Sequence, residues 1–258
     1  MPTTAQAPVQ PPLAVEGKAG VRVEDVERTY RTRRGAVTAL RGLSLRVDAR
    51  EIVAVVGPSG CGKSTLLELV CGLQAPDRGR IQAGPTVYMP QRDLLLPWAS
   101  ALDNAALPLR VHGASREAAR ERARPAFAAF GLAGFEAARP EELSGGMRQR
   151  VAFLRTLLAG KPVLALDEPF ASLDALTRAE MQAWLAGALL REPRTVLLVT
   201  HDVEEAVVLA DRVVVLSSRP GRVVDELAVP LPRPRSRTDA PVVALRERAM
   251  QALEGGGT

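Results

Sequence analysis

The chain has 258 residues, of which 47% are hydrophobic and 24% charged, with a net charge of +5. Its apolar content is too high for a mostly disordered chain, and it is long enough for one large domain or a domain with a subdomain. No apolar run approaches the roughly 20 residues of a spanning helix, and the N-terminal residues lack the basic and apolar regions of a signal peptide, so a cytosolic chain is expected.

The basic balance permits nucleic-acid binding. With only 3% aromatic residues and no basic run before the C-terminal region, no nucleic-acid partner is expected. Cys61 and Cys71 stand without a partner cluster, and His112 and His201 are the only histidines, so disulfide and zinc readings are weak. Of the 34 basic residues 31 are Arg. The three lysines, Lys18, Lys63 and Lys161, therefore stand against a strong bias.

Residues 1–18 contain four prolines and no apolar periodicity and are expected to be a disordered tail. Residues 52–56, 163–166 and 195–199 are continuous apolar runs, the pattern of strands buried on both faces. With helices between them they predict an α/β core with a parallel sheet. Residues 100–137 are rich in Ala, Arg, Glu and Leu. Ser100 with Asp103, and Ser115 with Glu117, have helix-capping spacing, so a helical insertion is expected over about 95–160. From 231 the chain alternates Pro and Arg, which predicts an extended connector leading to a short helix over 242–253. Arg233, Arg235 and Arg237 suit either contact with acidic lipid or a solvated, partly disordered tail, and the second is the expectation.

The strongest chemical signal is Gly57-Pro58-Ser59-Gly60-Cys61-Gly62-Lys63-Ser64, followed by Thr65. It fits the phosphate-binding loop pattern, lies between a strand and an apolar helix, and has only about 0.002 chance matches at this chain's composition. Its glycines let backbone N–H groups converge on an anion, Lys63 bridges terminal phosphates, and Ser64 can ligate Mg²⁺. Cys61 is expected to be a loop filler and Cys71 a core residue. A second signal is the apolar run that ends in Asp167-Glu168. Beside a phosphate loop, Asp167 would hold Mg²⁺ through water and Glu168 would deprotonate an attacking water. A third is Leu143-Ser144-Gly145-Gly146-Met147-Arg148-Gln149-Arg150, a Ser-Gly-Gly turn opening a helix that is expected to run to about residue 159.

With these motifs in this order, followed by Ser172-Leu173-Asp174 and His201, residues 20–230 resemble the ATP-binding subunit of an ABC transporter. The resemblance implies a P-loop NTPase core with a mainly parallel sheet, an N-terminal antiparallel β-subdomain and an inserted helical subdomain. The ATP-binding domain would span 19–230, with the connector and final helix over 231–258. ATP and Mg²⁺ are the implied cofactors. Tyr30 would stack on adenine, Gln91 would contact Mg²⁺ and relay to a membrane subunit, and His201 would hold the terminal phosphate and Glu168. Ser144, Gly145 and Gly146 would contact ATP bound by the other protomer, and Asp174 would couple the two sites. Tyr30 has a plain alternative as a strand-end aromatic, and Gln91 as a solvated turn residue.

The implied partners are a second copy in a homodimer, membrane permease subunits and, through them, a periplasmic or surface solute-binding protein. The implied place is the cytoplasmic face of the cell membrane. Leu94-Leu95-Leu96-Pro97-Trp98 suits either burial within the helical subdomain or the wall of a groove for a permease helix. The wording of residues 89–98 and 217–222 resembles the nitrate, sulfonate and taurine importer group, which includes hydroxymethylpyrimidine importers. With 57 residues after His201, no large C-terminal regulatory domain is expected. A soluble, non-transport ABC ATPase is the rival reading. The 81 positions from Lys63 to Ser144 leave no room for the long coiled coil of repair types, and translation types carry two tandem ATPase domains.

Overall fold

The computed structural model describes residues 20–33, 35–171 and 173–255. The expected tail over 1–18 and Ser172 lie outside the described residues. The chain divides into two compact units, which among the described residues are 93–160 and 20–92 with 161–255.

The larger unit holds two sheets. β1 (Val21–Thr32) and β2 (Gly35–Val47) form an antiparallel pair, and β4 (Arg78–Ala83) adds antiparallel to β1. The second sheet has the order β5-β6-β7-β3-β8-β9, with β3 (Ile52–Val56), β5 (Thr86–Met89), β6 (Val163–Asp167), β7 (Thr195–Thr200), β8 (Arg212–Leu216) and β9 (Val223–Ala228). Its first five strands are parallel and β9 runs antiparallel to β8. Every residue of β3, β6 and β7 is buried, which is why these strands are continuous apolar runs instead of alternating ones.

Among the described residues four helices belong to this unit: α1 (Lys63–Val70), α5 (Ala175–Arg191), α6 (Val203–Leu209) and α7 (Ala240–Gly255). Leu66, Leu67, Leu69 and Val70 of α1 join Val53 and Val55 of β3, Val163 of β6, Leu197 of β7 and Leu43 and Leu45 of β2 in one core cluster. Each such buried side chain contributes about 1.5–3 kcal/mol. Because β3, β5, β6, β7 and β8 are parallel, their carboxyl ends share one edge. Open α/β sheets bind ligands outside that edge.

The smaller unit is helical: α2 (Ala101–Val111), α3 (Arg116–Ala129) and α4 (Gly145–Leu158), with a 3₁₀ turn at Pro140–Glu142. Ser100, Ser115 and Ser144 cap the three α-helices, accepting from the backbone N–H groups of Asp103, Ala118 and Met147. Phe127, Phe153, Leu109 and Leu154 fill the interior. Asp103 is buried, which alone would raise its pKa. Hydrogen bonds from Arg116, Arg120 and Ser100 outweigh burial and hold the carboxyl well below the usual carboxylate range.

The C-terminal region departs from the expectation of a solvated, partly disordered tail. Arg235 is 9% exposed, and its guanidinium donates to the carbonyls of Val207, Ala210, Val229 and Leu231. Arg233 donates to Leu209 O and pairs with Asp211 at 3.0 Å, and Arg237 pairs with Glu204 at 3.3 Å. The end of α6 leaves carbonyls without helical partners, and the arginine forks satisfy them. The final helix also begins before residue 242, with Pro241 in its first turn, where a missing N–H costs nothing.

Candidate functional site

The turn after β3 is shaped by its glycines. Gly62 has φ 107, and a Cβ there would lie 2.7 Å from Leu40 Cδ2 and 2.8 Å from Ala39 O. Only glycine combines that backbone with that space, so α1 starts from a tight loop with its N–H groups turned inward. Lys63 is buried, and its Nζ donates to Gly57 O at 2.7 Å and Pro58 O at 3.1 Å, bracing the loop. Burial pushes the Cys61 thiol up against the lowering influence of Lys63, so it stays a neutral filler. Cys71 packs against the core, and its thiol is pushed up to about 12.

Asp167 ends β6 and is only 5% exposed. Burial pushes its carboxyl up from the usual range, with hydrogen bonds from Ser64 and Tyr88 opposing. The Tyr88 hydroxyl donates to Asp167 Oδ2 at 2.9 Å. Burial, then the Asp167 charge, push the phenol up, so it remains a donor.

Glu168 follows with φ 45, a left-handed backbone unusual for a residue with a side chain. Its N–H donates to Val199 O at 2.9 Å, which fixes it to the end of β7. Glu168 Oε2 accepts from Gln91 Nε2 at 3.0 Å and meets His201 Nδ1 at 3.2 Å. With Nδ1 facing the carboxylate, Nε2 of His201 lies on the side of the ring away from Glu168. His201 itself is held by the turn that follows β7. Asp202 N–H donates to the Thr200 hydroxyl, and Asp202 caps α6 through Glu204 and Glu205 N–H.

Tyr30, Ser59, Gly60, Gly62, Lys63, Ser64, Thr65, Gln91, Glu168 and His201 line one cavity of about 510 Å³. The Tyr30 hydroxyl donates to Gln74 Oε1 at 3.0 Å, and Arg28 stands 5.0 Å from its ring centroid. Asp174 does not line this cavity. Its carboxylate caps α5 through the Leu176 and Thr177 N–H groups, and those bonds, Thr177 first, lower its pKa. Ser144, Gly145 and Gly146 open α4 in the helical unit, where Ser144 Oγ accepts from Met147 N–H at 3.2 Å. Sequence reasoning missed Tyr88, Gln74 and Arg219, and Arg219 also lines the cavity.

The donor set suits a magnesium nucleotide. Ser64 hydroxyl and Asp167 carboxylate are hard oxygen donors in hydrogen-bond contact, and a divalent cation would offset the burial of Asp167. Among the described residues there is no group of three or more His, Cys, Asp or Glu side chains placed to hold a metal by themselves. Mg²⁺ bound with a nucleotide takes one or two protein oxygens together with phosphate oxygens and waters.

Residues 40–171 match the profile of the ABC transporter family. The chain belongs to this family. The formylaminopyrimidine import ATP-binding protein of Halalkalibacterium halodurans is 49% identical over 191 residues, 73% of this chain and 77% of that protein. A taurine import ATP-binding protein of Burkholderia thailandensis is 47% identical over 208 residues, 77% of this chain and 80% of that one. Among solved structures, a dimeric post-hydrolysis state of an ATP-binding cassette bound to ADP and Pi matches with a TM-score of 0.73 and 29% identity, over 81% of this chain and 98% of that chain. The expected α/β fold is thus that of an ABC cassette, and the chain is an ABC-type ATPase. Among the described residues no helix is long and apolar enough to cross a membrane.

Proposed function

We propose that this chain is the ATP-hydrolysing subunit that drives import of a small solute through separate permease subunits, working as a homodimer at the cytoplasmic face of the cell membrane. The observation that carries this reading is the convergence on one cavity of Lys63, Ser64, Gln91, Glu168 and His201, with Asp167 in contact with Ser64. The import names of its relatives support the coupling to transport over the soluble ATPase.

Ser64 and Asp167, with Gln91, would hold Mg²⁺, which supplies neutralisation of phosphate charge when bound. Lys63 and the backbone N–H groups of the loop 57–65, Pro58 excepted because it has none, hold the phosphates. Tyr30 stacks on adenine, in keeping with its place at the cavity and the fixed position of its hydroxyl. Glu168 Oε2 is taken by Gln91 and His201, so Oε1 accepts a proton from the water that attacks the terminal phosphorus while the bond to ADP breaks. His201, through Nε2, contacts the terminal phosphate.

Ser144, Gly145 and Gly146 meet the nucleotide held by the partner, and Asp174 links the two sites, so closure depends on ATP and hydrolysis releases it. Within the helical unit Leu94 and Trp98 are exposed, at 59% and 72%, and offer an apolar contact for a permease helix. The relatives name a pyrimidine and taurine at nearly equal identity, and the ATPase does not touch the cargo. The cargo is a small solute of the pyrimidine, taurine, sulfonate or nitrate type, delivered by a periplasmic or surface solute-binding protein. The test is capture of tagged Glu168→Gln protein from its native membranes with ATP and Mg²⁺. Recovery of a polytopic permease supports the reading, whereas recovery of a soluble dimer alone, under conditions that preserve membrane complexes, overturns it.

A further inference from the structure

The loop between β8 and β9, residues 217–222, takes no part in the chemistry above, yet it is built against the phosphate loop. Gly221 anchors it. The Gly221 N–H donates to Ala39 O at 2.8 Å, and its carbonyl accepts from Arg41 N–H at 3.2 Å. A Cβ at Gly221 would fall 2.2 Å from Cys61 O, so the backbone of one loop rests directly on the other. The loop is also tied to itself. Ser217 N–H donates to Arg222 O at 2.9 Å, Ser217 Oγ donates to Pro220 O at 3.1 Å, and Arg222 N–H donates back to Ser217 Oγ at 3.1 Å.

Arg219 stands at the outer end of this braced turn. A Cβ on Gly60 would lie 3.2 Å from its Nη2, and Arg219 lines the same cavity as Lys63, Ser64 and His201. Its side chain is exposed, and among the described residues no carboxylate pairs with it. A guanidinium offers a planar fork of donors that matches phosphate oxygens. A free one, held by a rigid turn over a phosphate loop, is placed for that use. The Lys63 ammonium gives two of its three donors to the Gly57 and Pro58 carbonyls and has one left for phosphate.

We propose that Arg219 is a further nucleotide-binding residue of this ATPase, donating from the β8–β9 turn to the phosphate chain of bound ATP. The proposal rests on the ATPase reading and adds a residue to it. Arg222 is the natural control. It is exposed on the same turn and lines the neighbouring groove, as Arg219 also does, but unlike Arg219 it does not line the nucleotide cavity.

The experiment compares the full chain with Arg219→Ala, Arg219→Lys, Arg222→Ala and Lys63→Ala, by titration with a fluorescent ATP analogue and by steady-state ATP hydrolysis. Arg219→Ala should weaken ATP binding about tenfold, and raise KM more than it lowers kcat, with an unchanged thermal midpoint. Arg219→Lys should recover part of the loss, and Arg222→Ala should bind within about twofold of the unaltered chain. If Arg219→Ala binds ATP as the unaltered chain does while Lys63→Ala loses binding, the proposal falls and the ATPase reading stands. If the unaltered chain binds no ATP, both fall.

Discussion

His201 Nδ1 stands 3.2 Å from Glu168 Oε2, the same carboxylate oxygen that accepts from Gln91 Nε2. Two donors arriving on one oxygen fix the plane of the carboxylate and leave the other oxygen to receive a proton. In the proposed mechanism that proton comes from the attacking water. Glu168→Gln keeps the shape but cannot take it. ATP binding should persist while turnover falls on the order of 10²- to 10⁴-fold. Phosphate release measured beside equilibrium ATP binding decides this, and full turnover by the variant would refute the role of Glu168.

Asp167 is distinguished from its neighbour by burial. It is 5% exposed, and its hydrogen-bond contacts with Tyr88 and Ser64 do not fully offset the desolvation of its carboxyl. A divalent cation is the natural complement of such a group. Asp167→Asn should raise the Mg²⁺ concentration that half-saturates ATP hydrolysis by at least about tenfold, the effect of losing one charged contact. With EDTA present, the variant and the unaltered chain should bind ATP alike. A Mg²⁺ dependence unchanged by the substitution would remove Asp167 from the metal site.

Much of this site is legible in the sequence because its strongest parts are local. The phosphate loop is one contiguous stretch whose glycines, lysine and hydroxyl act together. The buried strands announce themselves because β3, β6 and β7 must be apolar on both faces. Ser100, Ser115 and Ser144 are readable for the same reason, since a cap serves N–H groups within three residues. What the sequence hides is lateral. Tyr88 reaches Asp167 only because β5 pairs in parallel with β6, 79 positions away, in a register no local pattern states. Arg219 reaches Gly60 only because Gly221 docks on β2. The Pro-Arg alternation after β9 is read as solvated because two of the carbonyls that Arg235 satisfies, Val207 O and Ala210 O, lie at the end of α6, more than 20 residues earlier.

Glu205 gives the pH dependence. It is 4% exposed, and its Oε1 has no partner among the described residues. Burial first, then the Asp202 and Glu168 charges, push its carboxyl up to about 8, against the opposing influence of Arg178 and Thr200. The native state therefore holds a proton that the unfolded chain, at its ordinary value of 4.5, releases. The associated stability is complete below the unfolded value and is lost as pH rises through the folded one. Glu205→Gln keeps the volume and cannot ionise. The two thermal midpoints should differ little near pH 5 and separate in favour of the variant toward about pH 9. Parallel curves across that range would show that Glu205 does not titrate in this way.

Arg235 is the strongest test of the C-terminal fold. Its guanidinium donates at 2.7 Å to Val207 O, 2.5 Å to Ala210 O and 2.7 Å to Leu231 O, joining the end of α6 to the segment after β9. Those carbonyls lie where water is largely excluded, so losing the fork leaves several acceptors unsatisfied. Each costs about 1–3 kcal/mol, and partial rehydration of the emptied site returns some of it. Arg235→Ala should lower stability by about 3 kcal/mol, which for a chain of this size lowers Tm by roughly 6–12 °C. Arg235→Lys should recover little, because an ammonium cannot span acceptors on two segments. Arg237→Ala should lower Tm less than Arg235→Ala, since the Arg237 side chain is 35% exposed and its pair with Glu204 is open to solvent. If Arg235→Ala melts with the unaltered chain, the segment after β9 is not held by this fork.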